Sequence, residues 1–182
     1  MTTDPATIVE RDVDRERTDL LATLAKHRGF LRFTVRGLSD EQAAAHPTIS
    51  ALCLGGLIKH VTEVEAGWLE FILNGPATMN RNSAEWTADA SSDWNSRFQM
   101  APNDSLAGLL QQYDEVARRT DEVVADLPDL DAGHPLPEAP WFEKGGYWSA
   151  RRVLLHIIAE TAQHAGHADI IRETLDGSKT MG

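Results

Sequence analysis

The sequence predicts an all-α protein, a four-helix bundle with two long connections. Three observations lead there. Four long stretches repeat their apolar residues at helical spacing, strand signals are weak throughout, and the segments 77–103 and 128–148 interrupt the helices with turn-forming residues.

The first helix reads from about Pro5 to Val35. Leu20, Leu21, Leu24 and Leu31 recur among charged residues, and Asp4-Pro5 is a suitable start because proline is tolerated in the first turn. Gly37 can stop it. Ser39 with Gln42 matches a capping box for a short helical turn, which His46-Pro47 ends because the residue before proline avoids the helical region. The second long helix reads from about Leu52 to Leu73. Leu54, Leu57, Ile58, Val61, Val64, Trp68 and Ile72 form its apolar stripe, and the run Asn74-Gly75-Pro76 breaks it. Residues 77–103 read as irregular, with Trp86, Trp94 and Phe98 expected to pack on the body. Asn103, Asp104 and Ser105 offer caps for a third helix over about 105–127, with Leu106, Leu109, Leu110, Tyr113, Val116, Val123 and Val124 on its apolar face. Ser149 reads as the N-cap of the last helix, about 150–175, which Asp176-Gly177 ends. No internal repeat is visible. The 182 residues are most economically read as one domain, 1–182.

Composition narrows the function classes. A formal net charge of −11 disfavours a nucleic-acid or anionic-membrane surface, because phosphates are repelled. The single cysteine, Cys53, cannot form an internal disulfide, which fits a reducing cytoplasm; it reads as a packed thiol. The polar, charged N-terminus does not read as a signal peptide, and no apolar stretch reaches membrane-spanning length.

Chemistry concentrates in the last helix, in the stretch HIIAETAQHAGHADIIRE, residues 156–173. At about 100° per residue, and with His156 set at zero, Glu160 lies near ~40°, His164 near ~80° and His167 near ~20°. Val153, Ile157, Ala168 and Ile171 share that broad side, so several titratable groups face the core or its rim. Ionised carboxylates are costly to bury unless paired or bound to metal. Glu160 and His164, one turn apart, can reach a single ion together. His60 sits in the buried stripe of the second helix and is the best third ligand. Two imidazoles and one carboxylate suit catalytic zinc, and also non-haem iron. The competing explanation is that these histidines merely pack. His27, His46 and His134 carry no helical partner signal and read as surface or turn residues.

Two stretches carry a family resemblance: LGGLIKHVTEVEAGWLEFIL and WSARRVLLHIIAETAQHAGHADIIRE. They resemble the DinB/YfiT-like metalloenzymes, nearest the actinobacterial branch that includes the metal-binding domain of mycothiol-dependent maleylpyruvate isomerase. The resemblance runs from the first helix to about Leu175 and implies a four-helix bundle holding a divalent metal on three side chains. His60 matches the histidine of the second helix. Glu160 and His164 match the two ligands of the last helix, with a glutamate in the first place as in the isomerase branch. Where the usual motif continues His-Arg-Gly-Gln, this chain has His164-Ala165-Gly166-His167. His167, and His156 one turn before Glu160, are accordingly assigned to backing the ligands or lining the pocket.

The resemblance further implies thiol chemistry. A divalent metal, zinc first and nickel, iron or manganese as alternatives, would hold mycothiol as thiolate for attack on an electrophile. The isomerase has a C-terminal domain that contributes to its active site, and this chain ends shortly after the last helix. The expectation is therefore a metal-dependent thiol S-transferase, with small-molecule thiol and electrophile as partners and a homodimer compatible with the family. The alternatives kept open are a non-catalytic metal-containing binding or stress-related protein, a metal-dependent hydrolase using Glu63 or Glu65 as base, and a structural bundle. Glu63 and Glu65 are equally explained by a solvated helix face. Trp141 and Trp148 flank the loop before the last helix, which is expected to border the pocket mouth. Lys144, Arg151 and Arg152 are candidates for attracting an anion there.

Overall fold

The apolar stripes become helices that bury them against one another. The computed structural model describes residues 5–78 and 96–180, with side chains described from residue 15. Helix α1 spans Pro5–Thr34, the short α2 Asp40–Ala44, α3 Leu54–Asn74, α4 Leu106–Asp126 and α5 Ala150–Asp176. A 3-10 turn, Pro76–Thr78, follows α3. Helix α1 packs on α5, α5 on α3, α3 on α4 and α4 back on α1, which closes a bundle of four, and α2 rests on α3. The expected boundaries are met to within two residues. Trp86, Trp94 and the cap candidate Asp4 lie outside the described residues.

The core is aliphatic and aromatic. Leu24 and Leu31 from α1, Leu57, Ile58, Val61 and Phe71 from α3, Leu109 and Tyr113 from α4, and Val153, Ile157, Ala168 and Ile171 from α5 are all buried. Each large apolar side chain so buried stabilises the fold by roughly 1.5–3 kcal/mol relative to leaving it in water. Local chemistry fixes the helix ends. The Ser39–Gln42 capping box forms, with Gln42 N donating to Ser39 Oγ at 3.3 Å and Ser39 N to Gln42 Oε1 at 2.9 Å. Ser149 caps α5 by accepting from Arg152 N at 3.2 Å, and Gly177 closes it in the left-handed region at φ 81°. Cys53 is fully buried as expected, and it also caps α3, its Sγ accepting from Gly56 N at 3.3 Å.

Strand signals were weak, yet residues 128–148 contribute a short antiparallel ladder. Strand β1, Gly133–Pro135, pairs with β2, Tyr147–Ser149, with His134 opposite Trp148. Three residues per strand leave too little alternation for sequence to register. The ladder also corrects the reading of His134 as a surface or turn residue, since it lies within β1. Its Nε2 lies 3.1 Å from the Ile72 carbonyl, and its ring meets Phe71 edge-on.

One close approach positions the functional end of the bundle. A Cβ at Gly56 would fall on the Phe98 carbonyl, so only glycine lets the segment around Phe98 lie on the first turn of α3. Phe98 then packs against His60, one turn further along, with ring centroids 4.2 Å apart and the planes tilted by 35°.

Candidate metal centre

Helices α3 and α5 bring His60, Glu160 and His164 together. One ligand-type atom from each lies within 4.8 Å of the others, the cluster spanning two buried imidazoles and one half-buried carboxylate. His164 Nε2 is 3.5 Å from Glu160 Oε2, and the rings of His60 and His164 meet edge-on at 4.8 Å. Donors on a tetrahedral zinc are about 3.4 Å apart. The Glu160–His164 pair already meets that spacing, and side-chain adjustment of about an ångström closes the remainder.

The protonation states suit a cation. Burial, reinforced by neighbouring His164 and Arg97 and opposed by Glu160, pushes His60 down to about 4. At neutral pH it is an uncharged imidazole with a free lone pair. Glu160 is held below the usual carboxylate range, first by its hydrogen-bond partner His164, with burial opposing. The set therefore offers two imidazole nitrogens, that of His60 uncharged, and one anionic oxygen, the ligand chemistry that zinc and other divalent transition ions take.

The remaining sequence candidates fall around this set. His156 Nε2 stands 3.9 Å from Glu160 Oε1, the carboxylate oxygen other than the one nearest His164 Nε2. The His156 ring meets both Trp68 at 4.9 Å and Trp148 at 5.1 Å edge-on, and those two indoles stack on each other at 4.8 Å. His167 Nδ1 lies 3.4 Å from His164 Nδ1. Trp148 thus reaches the surroundings of the cluster through His156. Trp141 stands farther out, exposed, its ring 6.0 Å from that of Phe142, which in turn meets Trp68 at 6.0 Å.

The charged candidates divide. Arg152 lies over the Trp148 ring at 4.5 Å, and Lys144 is exposed. Arg151 is occupied elsewhere, paired with Glu16 at 2.5 Å and with Asp131, so it ties α1 to the loop before β1. Of the two glutamates considered as a base, Glu63 is exposed as a solvated-face reading requires. Glu65 is not: it is fully buried and grips Arg28, whose Nε donates to its Oε2 at 3.2 Å and whose Nη2 meets its Oε1. A carboxylate held by a guanidinium is a poor general base. The sequence did not reveal this pairing, because Arg28 lies on α1 and Glu65 on α3. Phe98 was also missed as a neighbour of the cluster; the glycine pair beside it, Gly55-Gly56, was the available signal.

No described helix is long and apolar enough to cross a membrane. A search of curated proteins finds no match to the chain. Residues 19–177 match the family model described as Mycothiol-S-transferase, a span that takes in α3, α4, α5 and the second half of α1 and includes all three members of the cluster. The chain belongs to the mycothiol S-transferase family, whose name and converging His60, Glu160 and His164 fit a metal-dependent transfer of a small-molecule thiol.

Proposed function

We propose that His60, Glu160 and His164 hold a divalent metal ion, zinc in the first instance, and that the protein joins mycothiol to an electrophilic small molecule. The observation that carries this is the convergence of two buried imidazoles and one carboxylate from two helices, in a chain of this family. The metal, when bound, supplies a Lewis acid that favours the thiolate over the thiol.

The protein's own residues do the rest. His60, Glu160 and His164 would hold the ion through three side chains and leave it open to a small-molecule thiol. Burial of His60 and His164 keeps water-accessible surface at the cluster small, which would strengthen electrostatic effects on a thiolate held there. Phe98 against His60, and the Trp68–Trp148 stack against His156, make apolar walls on two sides. On this reading Trp148 borders the substrate pocket, Trp141 stands at its outer edge, and Arg152 over Trp148 gives that edge positive charge. In the transfer the thiol would give up its proton to solvent, its sulfur would form the new carbon–sulfur bond, and the leaving group would depart with the electron pair of the bond that breaks.

The test is turnover of a chromogenic alkylating electrophile by the zinc-reconstituted protein, with and without mycothiol. Mycothiol-dependent product formation, falling at least about 100-fold in His60→Ala, is the expected result. Release of product without any thiol would favour metal-activated water and a hydrolase. Metal uptake with no turnover of any electrophile would favour a binding protein.

A further inference from the structure

His164 has two ring nitrogens facing different partners. Its Nε2 looks toward Glu160 Oε2 at 3.5 Å, inside the cluster. Its Nδ1 looks the other way, toward His167 Nδ1 at 3.4 Å. The two residues are three apart on α5, where side chains on adjacent turns meet, and their rings stand 5.4 Å apart at 61°. His164 is buried and His167 half-buried, so water does not freely serve the nitrogen between them.

A neutral imidazole carries one N–H and one lone pair, and the partner of one nitrogen decides which is which. For Nε2 of His164 to present a lone pair to a cation, its proton must sit on Nδ1 and needs an acceptor there. The atom in place is Nδ1 of His167. We infer that His167 is a positioning residue for the metal site: its Nδ1 accepts the Nδ1–H of His164, fixing both the tautomer and the ring orientation that aim Nε2 at Glu160 and His60. His167 then carries its own proton on Nε2. Metal-bound histidines elsewhere depend on such partners, commonly a carboxylate or a backbone carbonyl. Here a second imidazole fills the role.

This inference rests on the metal-site reading above, and the test separates the two. Zinc affinity is measured by competition with a chromogenic chelator on the full chain, for wild type, His167→Leu and His167→Asn. Unfolding midpoints confirm that each variant is folded. Leucine keeps bulk near the Nδ1 position but cannot accept. Asparagine places its Oδ1 where Nδ1 was and can. The expected result is a zinc affinity about 10–100-fold weaker in His167→Leu, with His167→Asn restored to within about threefold of wild type. A purely packing role predicts no such rescue. Wild-type affinity in His167→Leu, or equal weakening in both variants, would overturn the assignment of His167 while leaving the metal site standing. No zinc binding by the wild type would overturn the metal site itself, and this assignment with it.

Discussion

Two clusters of buried charge lie in the same bundle, and they are completed differently. In one, Glu65 on α3 is fully buried and gripped by Arg28 of α1, which also donates to Asp121 of α4 at 2.8 Å. A permanently charged guanidinium meets the buried carboxylate through two nitrogens, and three helices are tied by one side chain. In the other, the partners of Glu160 are imidazoles, His156 and His164, which carry charge only when protonated. The third group of that cluster, His60, is held neutral by its surroundings. The first cluster is self-sufficient. The second gathers lone pairs around a carboxylate without fixing a positive charge among them, which is the arrangement a divalent cation completes.

The comparison can be broken from either side. The largest effect on folding is expected at the self-sufficient cluster. Arg28→Met leaves Glu65 buried without its counter-charge and should cost about 3–5 kcal/mol in urea unfolding. The double variant Arg28→Met/Glu65→Leu should recover most of that loss, because apolar groups can replace a buried pair. Zinc stoichiometry should stay at the wild-type level in the folded single variant. A folded Arg28→Met that no longer takes up zinc would show that the two clusters are not separate.

A smaller effect distinguishes the histidine–glutamate cluster through pH. In the metal-free protein His60 titrates near 4 when folded, against about 6.5 for an unperturbed imidazole. Between those values the unfolded chain binds a proton that the folded chain refuses. Stability is therefore complete above about pH 6.5 and is lost as pH falls toward 4, by up to about 3 kcal/mol from this group. The lowered Glu160 acts in the same direction, since its contribution is held at neutral pH and lost on protonation. Urea titrations of metal-free protein from pH 7 to 4.5 should show this slope, and His60→Gln should flatten it. An unchanged slope in that variant would mean that His60 is not the group responsible.

The difference between the clusters also explains what the sequence could and could not reveal. The Glu160–His164 pair was legible because a single helix sets its spacing, and His60 because it interrupts an apolar stripe with a ligand-type residue. Helix ends were legible where a side chain caps its own helix, as at Ser39, Ser105 and Ser149. The Arg28–Glu65 pair was not, since Glu65 occurs one residue beyond Val64 in a helix with several charged positions and its partner is 37 residues away. The ladder between β1 and β2 escaped for a related reason: its pairing joins residues across the loop, and neither strand alternates for long enough. His167 was assigned to the surroundings of the site, but which nitrogen it meets depends on ring orientation, which no spacing encodes.

The measurement that bears most directly on the central claim is metal content by elemental mass spectrometry. It should be made on untagged wild type and His164→Ala, each after reconstitution with zinc and removal of free ion. Wild type should hold close to one equivalent and His164→Ala close to none, with both folded. Metal retained in His164→Ala, or absent from wild type after reconstitution with zinc, nickel and iron in turn, would contradict the account and leave a bundle whose histidines only pack.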